Sequence, residues 1–203
     1  MKLYYSPGAC SLSPHIVMRE AGMAFDMERV DLANHQTETG TDFTQINPKG
    51  YVPALRLDDG QVLTEGATIV QYIADLHPEA ALAPKPGTLE RTRLQEYLNF
   101  IATEYHKAFS PLFSSDVSEA AKATAIGNVE RGLDYFEKLF ADGRAYLMGD
   151  KFSVADAYLF VVTNWTKMTG IGLAKWPHVA AFVTRVAGRG KVQDALRAEG
   201  LIQ

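Results

Sequence analysis

The 203-residue chain contains one cysteine, Cys10, in a turn of small residues between a predicted strand and a predicted helix. Backbone N–H groups and the helix dipole make the start of a helix electropositive, so a sulfur placed there is favoured as the nucleophilic thiolate. A buried, unreactive thiol is the structural alternative, but the loop position favours an accessible and reactive one. Tyr5 and Ser11 carry hydroxyl groups in the same turn, and we interpret them as a core aromatic and a helix cap.

Two further segments combine proline, glycine and a carboxylate at the ends of predicted strands. In the run NPKGYVPAL (residues 47–55), Pro53 opens a strand, where its missing N–H is tolerated. Spacing alone favours an ordinary trans proline, but a cis bond would turn the Val52 N–H and C=O outward to pair with a ligand. Glu65 and Gly66 begin a helix. The Glu65 carboxylate either holds an amino group or complements the helix dipole, and Gly66 offers an unhindered N–H.

Polar residues recur on one face of the helix predicted to begin at residue 88. Asn99, Thr103 and His106 are spaced four and three residues apart, which places them on one helical face nearly opposite an apolar stripe. Glu104 and Lys107 lie at one side of that face. A solvated surface is the ordinary explanation. Asn, Thr and His are weaker helix formers than Glu or Lys, however, so their grouping hints at a site.

The first half of the chain predicts an α/β domain. A strand, a helix and a second strand form a βαβ unit with a parallel pair of strands. A hairpin with an Asp-Asp-Gly turn follows and precedes another helix. The expected strands are residues 2–5, 25–31, 53–57 and 61–64, and the expected helices are residues 12–21 and a segment through residues 69–76. Residues 33–50 are polar and predict a loop with one short helix.

The second half predicts helices only. Pro78, Pro84, Pro86 and Gly87 mark a linker. The expected helices are residues 88–113, 119–140, 153–167, 177–187 and 191–199. The third of them is apolar almost all round, which predicts a buried central helix, and Ser153 with Asp156 predicts a capping box at its start. We therefore predict an N-terminal domain over residues 1–77, a linker over 78–88 and an all-helical domain over 89–203.

The composition argues against several classes of protein. A net charge of −4 supplies no overall basic field for a nucleic acid. No apolar run reaches the roughly 18 residues that a membrane helix needs, and the first residues do not form a signal peptide. We therefore expect a cytoplasmic protein that binds neither nucleic acid nor membrane. A single cysteine cannot form an internal disulfide, and no metal site is predicted.

Taken together, these motifs resemble the glutathione S-transferase family, and specifically its bacterial beta class. The resemblance covers essentially the whole chain and rests on several motifs in the right order. They are YYSPGACSLSPH (residues 4–15), NPKGYVPAL (47–55), LTEG (63–66) running into IVQY (69–72), LNFI (98–101), EYHK (104–107) and FSVADAY (152–158).

The resemblance implies an α/β thioredoxin-like N-terminal domain, an all-α C-terminal domain and glutathione as co-substrate. It implies a cis bond before Pro53 and pairing of Val52 with the cysteinyl backbone of glutathione, while Glu65 and the Gly66 N–H hold the γ-glutamyl end. Cys10 matches the cysteine that approaches the glutathione sulfur and can form a mixed disulfide with it. His106 matches a histidine near that sulfur.

Further glutathione-binding positions follow from the same resemblance. They are Ala9, His35, Asn99, Thr103, Lys107 and Glu104, of which Glu104 helps to complete the partner's site in a two-fold homodimer. Two positions depart from the class. Many members have Lys near position 35, where this chain has His35, and Ser where this chain has Gly66. A neutral imidazole and a missing hydroxyl predict weaker binding of glutathione.

The sequence therefore predicts a glutathione transferase that binds glutathione at the domain boundary and conjugates it to small hydrophobic electrophiles, with Cys10 and His106 as catalytic residues. One alternative is a thiol–disulfide oxidoreductase acting through a Cys10 mixed disulfide. Because Ser13 replaces the second cysteine of a Cys-x-x-Cys pair, the second thiol would come from glutathione. Another alternative is a non-catalytic binding protein. Residues considered for the electrophile pocket, although each fits a core better, are Tyr5, Phe109, Phe113, Trp165 and Met168.

Overall fold

A computed structural model describes all 203 residues of the chain. The chain divides into two compact units. The first consists of residues 1–83 together with residues 188–203, and the second consists of residues 84–187.

The first unit contains one mixed sheet of five strands in the order β3-β2-β1-β4-β5. The strands are β1 (Lys2–Tyr5), β2 (Asp26–Asp31), β3 (Gln36–Thr37), β4 (Ala54–Arg56) and β5 (Val62–Thr64). β1 pairs in parallel with β2, with Lys2 opposite Asp26, and the other neighbours are antiparallel. The parallel pair and the helix Leu12–Glu20 that connects its two strands confirm the predicted βαβ unit.

Three helices belong to the first unit: α1 (Leu12–Glu20), α2 (Gly66–Leu76) and α8 (Gly190–Ala198). Helix α1 packs against both α2 and α8. Gly22 ends α1 with a φ of 68°, a conformation that glycine adopts without a steric penalty. On the sheet, a small core forms around Tyr4, Val30 and Phe43.

Strand β3 was not predicted. Its two residues, Gln36 and Thr37, pair with Asp31 and Val30 of β2, and two residues are too few for an alternating pattern to stand out. The short helix expected in this region is a single 3-10 turn, Phe43–Gln45, at whose start the Asp42 side chain accepts the Thr44 N–H. The predicted loop therefore holds one short strand and one short helical turn.

The second unit is helical. Its elements are α3 (Leu89–Phe100), a π-turn (Ile101–Tyr105), α4 (His106–Phe109), a 3-10 turn (Ser110–Phe113), α5 (Glu119–Phe140), α6 (Val154–Met168) and α7 (Pro177–Ala187). As predicted, α6 is the buried central helix, with most of its residues shielded from solvent. The Asp156 carboxylate accepts the Ser153 N–H at 2.8 Å and the Ser153 hydroxyl at 2.7 Å, which closes the start of α6.

The prediction of one regular helix over residues 88–113 is wrong. Residues 101–105 form a π-turn, and a 3-10 turn ends the segment. A π-turn contains one residue more than an α-turn, so it interrupts the regular α-helical hydrogen bonding. The apolar pattern gives no sign of this turn, because the buried residues keep a spacing of three and four through it: Leu94, Leu98, Ile101, Tyr105, Ala108 and Phe109.

The structure also differs from the predicted domain boundaries. Residues 188–203 were assigned to the helical domain, but they belong to the first compact unit. The reason is packing: α8 lies on α1, and Arg189 pairs with Glu20 through Nε at 2.6 Å. The division between the units lies after Ala83, within the predicted linker.

Candidate active site

Cys10 lies in the turn between β1 and α1, two residues before the helix begins. It is partly exposed, and its Sγ lies 3.3 Å from the carbonyl oxygen of Val52. The reactive side chain of this turn therefore contacts the backbone that the sequence predicts will hold a ligand. The exposure supports an accessible thiol over a buried one.

The turn around Cys10 is held by its own serines. Ser11 is fully buried, accepts the Ser6 N–H at 3.1 Å and donates to the Ser6 carbonyl at 3.2 Å. Ser13 donates to the Cys10 carbonyl at 2.8 Å. The interpretation of Ser11 as a side-chain helix cap is therefore wrong: it stands at the cap position, but its hydroxyl makes no capping bond and closes the turn instead.

A buried carboxylate supports the same turn from α8. Glu199 accepts the Gly8 N–H at 2.9 Å and lies 2.8 Å from Nδ1 of His15. Arg19 donates to the other ring nitrogen of His15 at 2.8 Å, so the proton between His15 and Glu199 belongs to Nδ1. Both the His15 and Glu199 side chains are completely buried. The sequence offered no signal for this network, because Glu199 is 191 residues from Gly8 along the chain.

The bond between Val52 and Pro53 is cis, which confirms the conformation implied by the resemblance and not the one favoured by spacing alone. Val52 and Pro53 are both buried, and β4 begins directly afterwards. The Val52 carbonyl is the group that accepts the Cys10 thiol. Cys10 and Val52, two of the predicted site residues, are therefore in direct contact.

Glu65 stands at the N-cap of α2 with a φ of 68°. Its Oε1 accepts two hydrogen bonds from the loop before β4: from Lys49 Nζ at 2.6 Å and from Tyr51 OH at 3.0 Å. Lys49 also donates to the Thr64 hydroxyl at 2.9 Å. Lys49 and Tyr51 were not predicted as site residues, although both stand in the 47–55 motif. The signal that could have identified them is that both carry polar groups and lie within three residues of Val52 in the sequence.

Gly66 is the first residue of α2 and lies beside Pro53. A Cβ built on Gly66 would be 3.6 Å from Pro53 Cγ and 3.9 Å from Ser13 Oγ, which are ordinary contact distances. A small side chain therefore fits at this position. The Glu65 side chain makes no capping hydrogen bond to the first N–H groups of α2, and such groups at a helix start favour an anion.

His35 and Ala9 lie in loops of the first unit. His35 is exposed, has a φ of 52° and places Nδ1 3.1 Å from the Gly50 carbonyl. Its ring thereby contacts the loop that carries Lys49 and Tyr51. Ala9 is partly buried against the sheet core, and its N–H closes a turn on the Ser6 carbonyl at 3.0 Å.

In the second unit, His106 is the first residue of α4, directly after the π-turn. Its Nδ1 lies 2.7 Å from the hydroxyl of Tyr158, and its ring stands edge-on to Trp165 with 4.7 Å between centroids. Both partners belong to α6, so the imidazole is held by the most buried helix of this unit. Tyr158 was not predicted as a functional residue, although it ends the 152–158 motif.

The predicted polar face is divided by the π-turn. Thr103, Glu104 and Lys107 line a cavity of about 490 Å³ together with residues of α5, whereas His106 contacts α6. Asn99 is exposed and its carbonyl accepts the Thr103 hydroxyl at 3.1 Å. Thr103 and Lys107 are four residues apart and share one face, whereas His106 is adjacent to Lys107 and lies about 100° around the helix from it.

Aromatic rings continue from His106 along the second unit. Phe109 and Trp165 are buried and pack edge-to-face at 5.6 Å. Phe113 contacts both of them but is 52% exposed, and Met168 at the end of α6 is 65% exposed. Of the residues considered for an apolar pocket, Phe109 and Trp165 are therefore core, and Phe113 and Met168 face solvent. Tyr5, in the first unit, is half-buried.

Comparisons with known proteins agree on one family. The model of the glutathione S-transferase N-terminal domain matches residues 8–76, and that of the C-terminal domain matches residues 100–189. The chain belongs to the glutathione S-transferase family. It is 47% identical to glutathione S-transferase GstA of Escherichia coli O157:H7, over 99% of this chain and 100% of that protein.

Solved structures place this glutathione S-transferase among bacterial members. A beta-class enzyme of Sphingomonas chungbukensis is 50% identical, with a TM-score of 0.97 and complete coverage of both chains. A sphingomonad glutathione S-transferase complexed with glutathione is 48% identical, with a TM-score of 0.96 and complete coverage of both chains. The predicted family, class and fold are confirmed: a thioredoxin-like N-terminal part and a helical C-terminal part.

Two further properties of this glutathione S-transferase concern membranes and metals. None of its helices combines the length and the apolar character required to cross a bilayer. No group of three or more His, Cys, Asp and Glu side chains is arranged to hold a metal ion.

Proposed function

We propose that this protein catalyses the attack of the glutathione thiolate on the electrophilic carbon of small hydrophobic compounds. The observation that carries the proposal is the 3.3 Å contact between Cys10 Sγ and the Val52 carbonyl. A cysteinyl backbone paired with Val52 would bring its own sulfur beside Cys10 and the start of α1. There the helix dipole favours a thiolate.

Glutathione binding would use groups of the first unit at three points. The Val52 N–H and C=O hold the cysteinyl residue, Glu65 accepts from the γ-glutamyl ammonium, and the Gly66 N–H donates to the γ-glutamyl carboxylate. His35 and Ala9 are proposed to contact the remaining, glycine-bearing part. Binding at several points fixes the orientation of the sulfur, which lowers the entropic part of the reaction barrier.

Residues of the second unit are proposed to act on the same substrates. His106 would assist the glutathione thiolate, supported by the fixed orientation that Tyr158 gives its ring. Asn99, Thr103 and Lys107 would bind glutathione, as the family resemblance implies. Phe113 and Met168 are exposed apolar side chains, Phe113 packs on buried Trp165, and both would contact the hydrophobic electrophile.

A thermal-shift titration with glutathione followed by conjugation of chlorodinitrobenzene tests the proposal. We expect the melting temperature to rise with glutathione concentration, because the native state binds the ligand, and we expect turnover. Kinetics of a Cys10→Ala, His106→Ala double variant then test the catalytic residues. An unchanged kcat/KM in the double variant would refute both assigned roles.

A thiol–disulfide exchange activity is the second candidate, favoured by the partial exposure of Cys10. The Cys10 thiolate would attack a glutathione mixed disulfide, form Cys10–S–S–glutathione and release the substrate thiol. A second glutathione thiolate would then release oxidised glutathione and restore Cys10. Retained conjugation together with lost disulfide reduction in Cys10→Ser would assign Cys10 to this exchange reaction.

We further propose a cytoplasmic homodimer in which Glu104 contributes to the partner's glutathione site. The support is a cleft between the π-turn and α5 that Glu104 lines together with Arg131 and Tyr135, and the 42% exposure of Tyr135. Light scattering measures the mass of the assembly. A monomeric mass with full activity would exclude a role for Glu104 across an interface.

A further inference from the structure

The cluster formed by Lys49, Tyr51, Thr64 and Glu65 places a cation and an anion side by side at the start of α2. Lys49 Nζ lies 2.6 Å from Glu65 Oε1 and 2.9 Å from Thr64 Oγ1. Tyr51 donates to the same carboxylate oxygen. The hydrogen bond to Glu65 raises the pKa of Lys49, so the lysine is an ammonium group throughout the physiological range.

Both partners of this ion pair are accessible: the Lys49 side chain is 45% exposed and that of Glu65 is 54% exposed. An exposed ion pair contributes little to the stability of the fold, so its partners can be exchanged at small cost. The lysine side chain is also long and flexible, and its three donors can turn to a new acceptor while the chain stays in place.

An α-amino acid end of a ligand carries one ammonium and one carboxylate on the same carbon. The pair has the opposite arrangement, with an acceptor at Glu65 and a donor at Lys49, beside the N–H groups that begin α2. We propose that Lys49 is a specificity-determining residue that recognises the α-carboxylate of γ-glutamyl thiols. This inference rests on the proposed function.

In this arrangement the ligand ammonium replaces Lys49 at Glu65 Oε1, and the displaced Lys49 ammonium binds the ligand α-carboxylate. Tyr51 and Thr64 keep their places and define where the two charges sit. The exchange replaces one charge-assisted hydrogen bond, from Lys49 to Glu65, with two, one at each charged group of the ligand. It therefore selects ligands that supply both charges, and it disfavours a thiol peptide that lacks either one.

Three tripeptide ligands separate the two charges. Glutathione has both, aminobutyryl-cysteinyl-glycine has the ammonium without the α-carboxylate, and glutaryl-cysteinyl-glycine has that carboxylate without the ammonium. Calorimetry would measure their Kd values for the wild type, Lys49→Met and Lys49→Arg. Lys191→Met, which removes the charge of another exposed lysine of the same unit, is the matched control.

We expect Lys49→Met to weaken glutathione and the glutaryl ligand by about 10-fold, the size of one hydrogen bond between charged groups. Binding of the aminobutyryl ligand should stay the same or become tighter, because the variant lacks the lysine that competes for Glu65. Lys49→Arg should retain most of the glutathione affinity, and Lys191→Met should retain all of it.

Equal losses for all three ligands in Lys49→Met, or no loss for any, would overturn the assignment of Lys49. Both results leave the proposed function intact, since the wild type would still bind and conjugate glutathione. Failure of the wild type to bind glutathione would instead refute the proposed function itself. The two failures are therefore distinguished by the wild-type titration alone.

Discussion

The first unit contains two carboxylate-centred clusters that differ in burial. Glu199 accepts from Gly8 and His15, and the side chains of Glu199 and His15 are 0% exposed. Glu65 accepts from Lys49 and Tyr51, and the side chains of the Lys49–Glu65 pair are about half exposed. Each cluster joins segments that are distant in sequence, and each lies beside a loop that carries a proposed glutathione contact.

Burial determines what each cluster can do. A buried acceptor fixes geometry, because removing it weakens the hydrogen bonding of its donors in a medium without water. An exposed acceptor can exchange one donor for another, because water and ligand compete on nearly equal terms. We infer that the Glu199 cluster maintains the Cys10 turn and that the Glu65 cluster exchanges partners when a ligand binds.

The largest expected effect on stability comes from replacing the buried carboxylate, Glu199, with its amide, and the same replacement at exposed Glu65 is the comparison. Glu199→Gln places an NH₂ group against either the Gly8 N–H or the His15 Nδ1–H, so one donor faces another inside the protein. We expect this variant to lower the free energy of unfolding by about 2–4 kcal/mol. Glu65→Gln should change it by less than about 0.5 kcal/mol. Urea unfolding of both variants measures the difference.

Equal losses in Glu199→Gln and Glu65→Gln would contradict the distinction between the two clusters. Activity gives a second readout, since Glu65→Gln should weaken glutathione binding while leaving the fold intact. Glu199→Gln should lower activity through the Cys10 turn.

Two glycines of α5 extend the comparison to the second unit. A Cβ on Gly132 would lie 2.4 Å from Tyr105 Cδ2, whereas a Cβ on Gly127 meets nothing within 4 Å. Tyr105 is buried and packs against Phe109 and Phe136, so its ring has no room to withdraw. We expect Gly132→Ala to destabilise the protein by about 1–2 kcal/mol net of the helix propensity gained.

Gly127→Ala is the control on the same helix and should stabilise the protein by about 0.5–1 kcal/mol. Thermal and urea unfolding show directly whether each substitution raises or lowers the free energy of unfolding. A stabilised Gly132→Ala variant would mean that Tyr105 can move, and the close packing between the π-turn and α5 would then not restrict this position.

The buried carboxylate of Asp156 tests the effect of burial on ionisation. Burial raises its pKa to about 6, despite hydrogen bonds from Leu147 and Ser153 that favour the ionised form. Because the folded pKa exceeds the unfolded value, the folded state binds more protons, and this group's contribution to stability falls as pH rises through 4–6. Relative to Asp156→Asn, the wild type should gain about 1 kcal/mol between pH 7 and pH 5.

Exposed Asp142 is the matched control for that titration. Its hydrogen bond from the Arg144 side chain lowers its pKa, so its contribution is complete above the unfolded value and is lost only as pH falls below it. Asp142→Asn should therefore track the wild type between pH 7 and pH 5. The same pH dependence in both variants would show that burial of Asp156 does not govern its ionisation.

The sequence predicts the regular elements well because their signals are local. Residues 119–140 and 177–187 are helices at the predicted bounds, and the Cys10 turn, the Pro53 strand and the Glu65 helix start are where the turn chemistry placed them. Those positions depend on proline, glycine and capping residues within a few positions along the chain.

The remainder could not be predicted because it depends on contacts that are distant in sequence. The π-turn has the composition of an ordinary helix, and the environment of His106 is visible only through its contacts with Tyr158 and Trp165. Glu199 looks like the charged end of a surface helix until α8 is seen to pack on α1. The Lys49–Glu65 pair likewise joins two loops that local patterns treat separately.

The smallest expected effect on stability concerns Gly66, where the resemblance to the beta class implies a serine in many members. A Cβ at this position makes only ordinary contacts with Pro53 and Ser13, unlike the clash at Gly132, so Gly66→Ser should shift the free energy of unfolding by less than about 0.5 kcal/mol. The added hydroxyl lies at the first turn of α2, where it can donate to the γ-glutamyl carboxylate. We expect glutathione to bind about 3–10-fold more tightly, the value of one added hydrogen bond. Calorimetry on Gly66→Ser and Gly66→Ala separates the hydroxyl from the added carbon: equal affinities in the two variants would show that the hydroxyl makes no contact, and a large loss of stability in both would show that this position is as closely packed as Gly132.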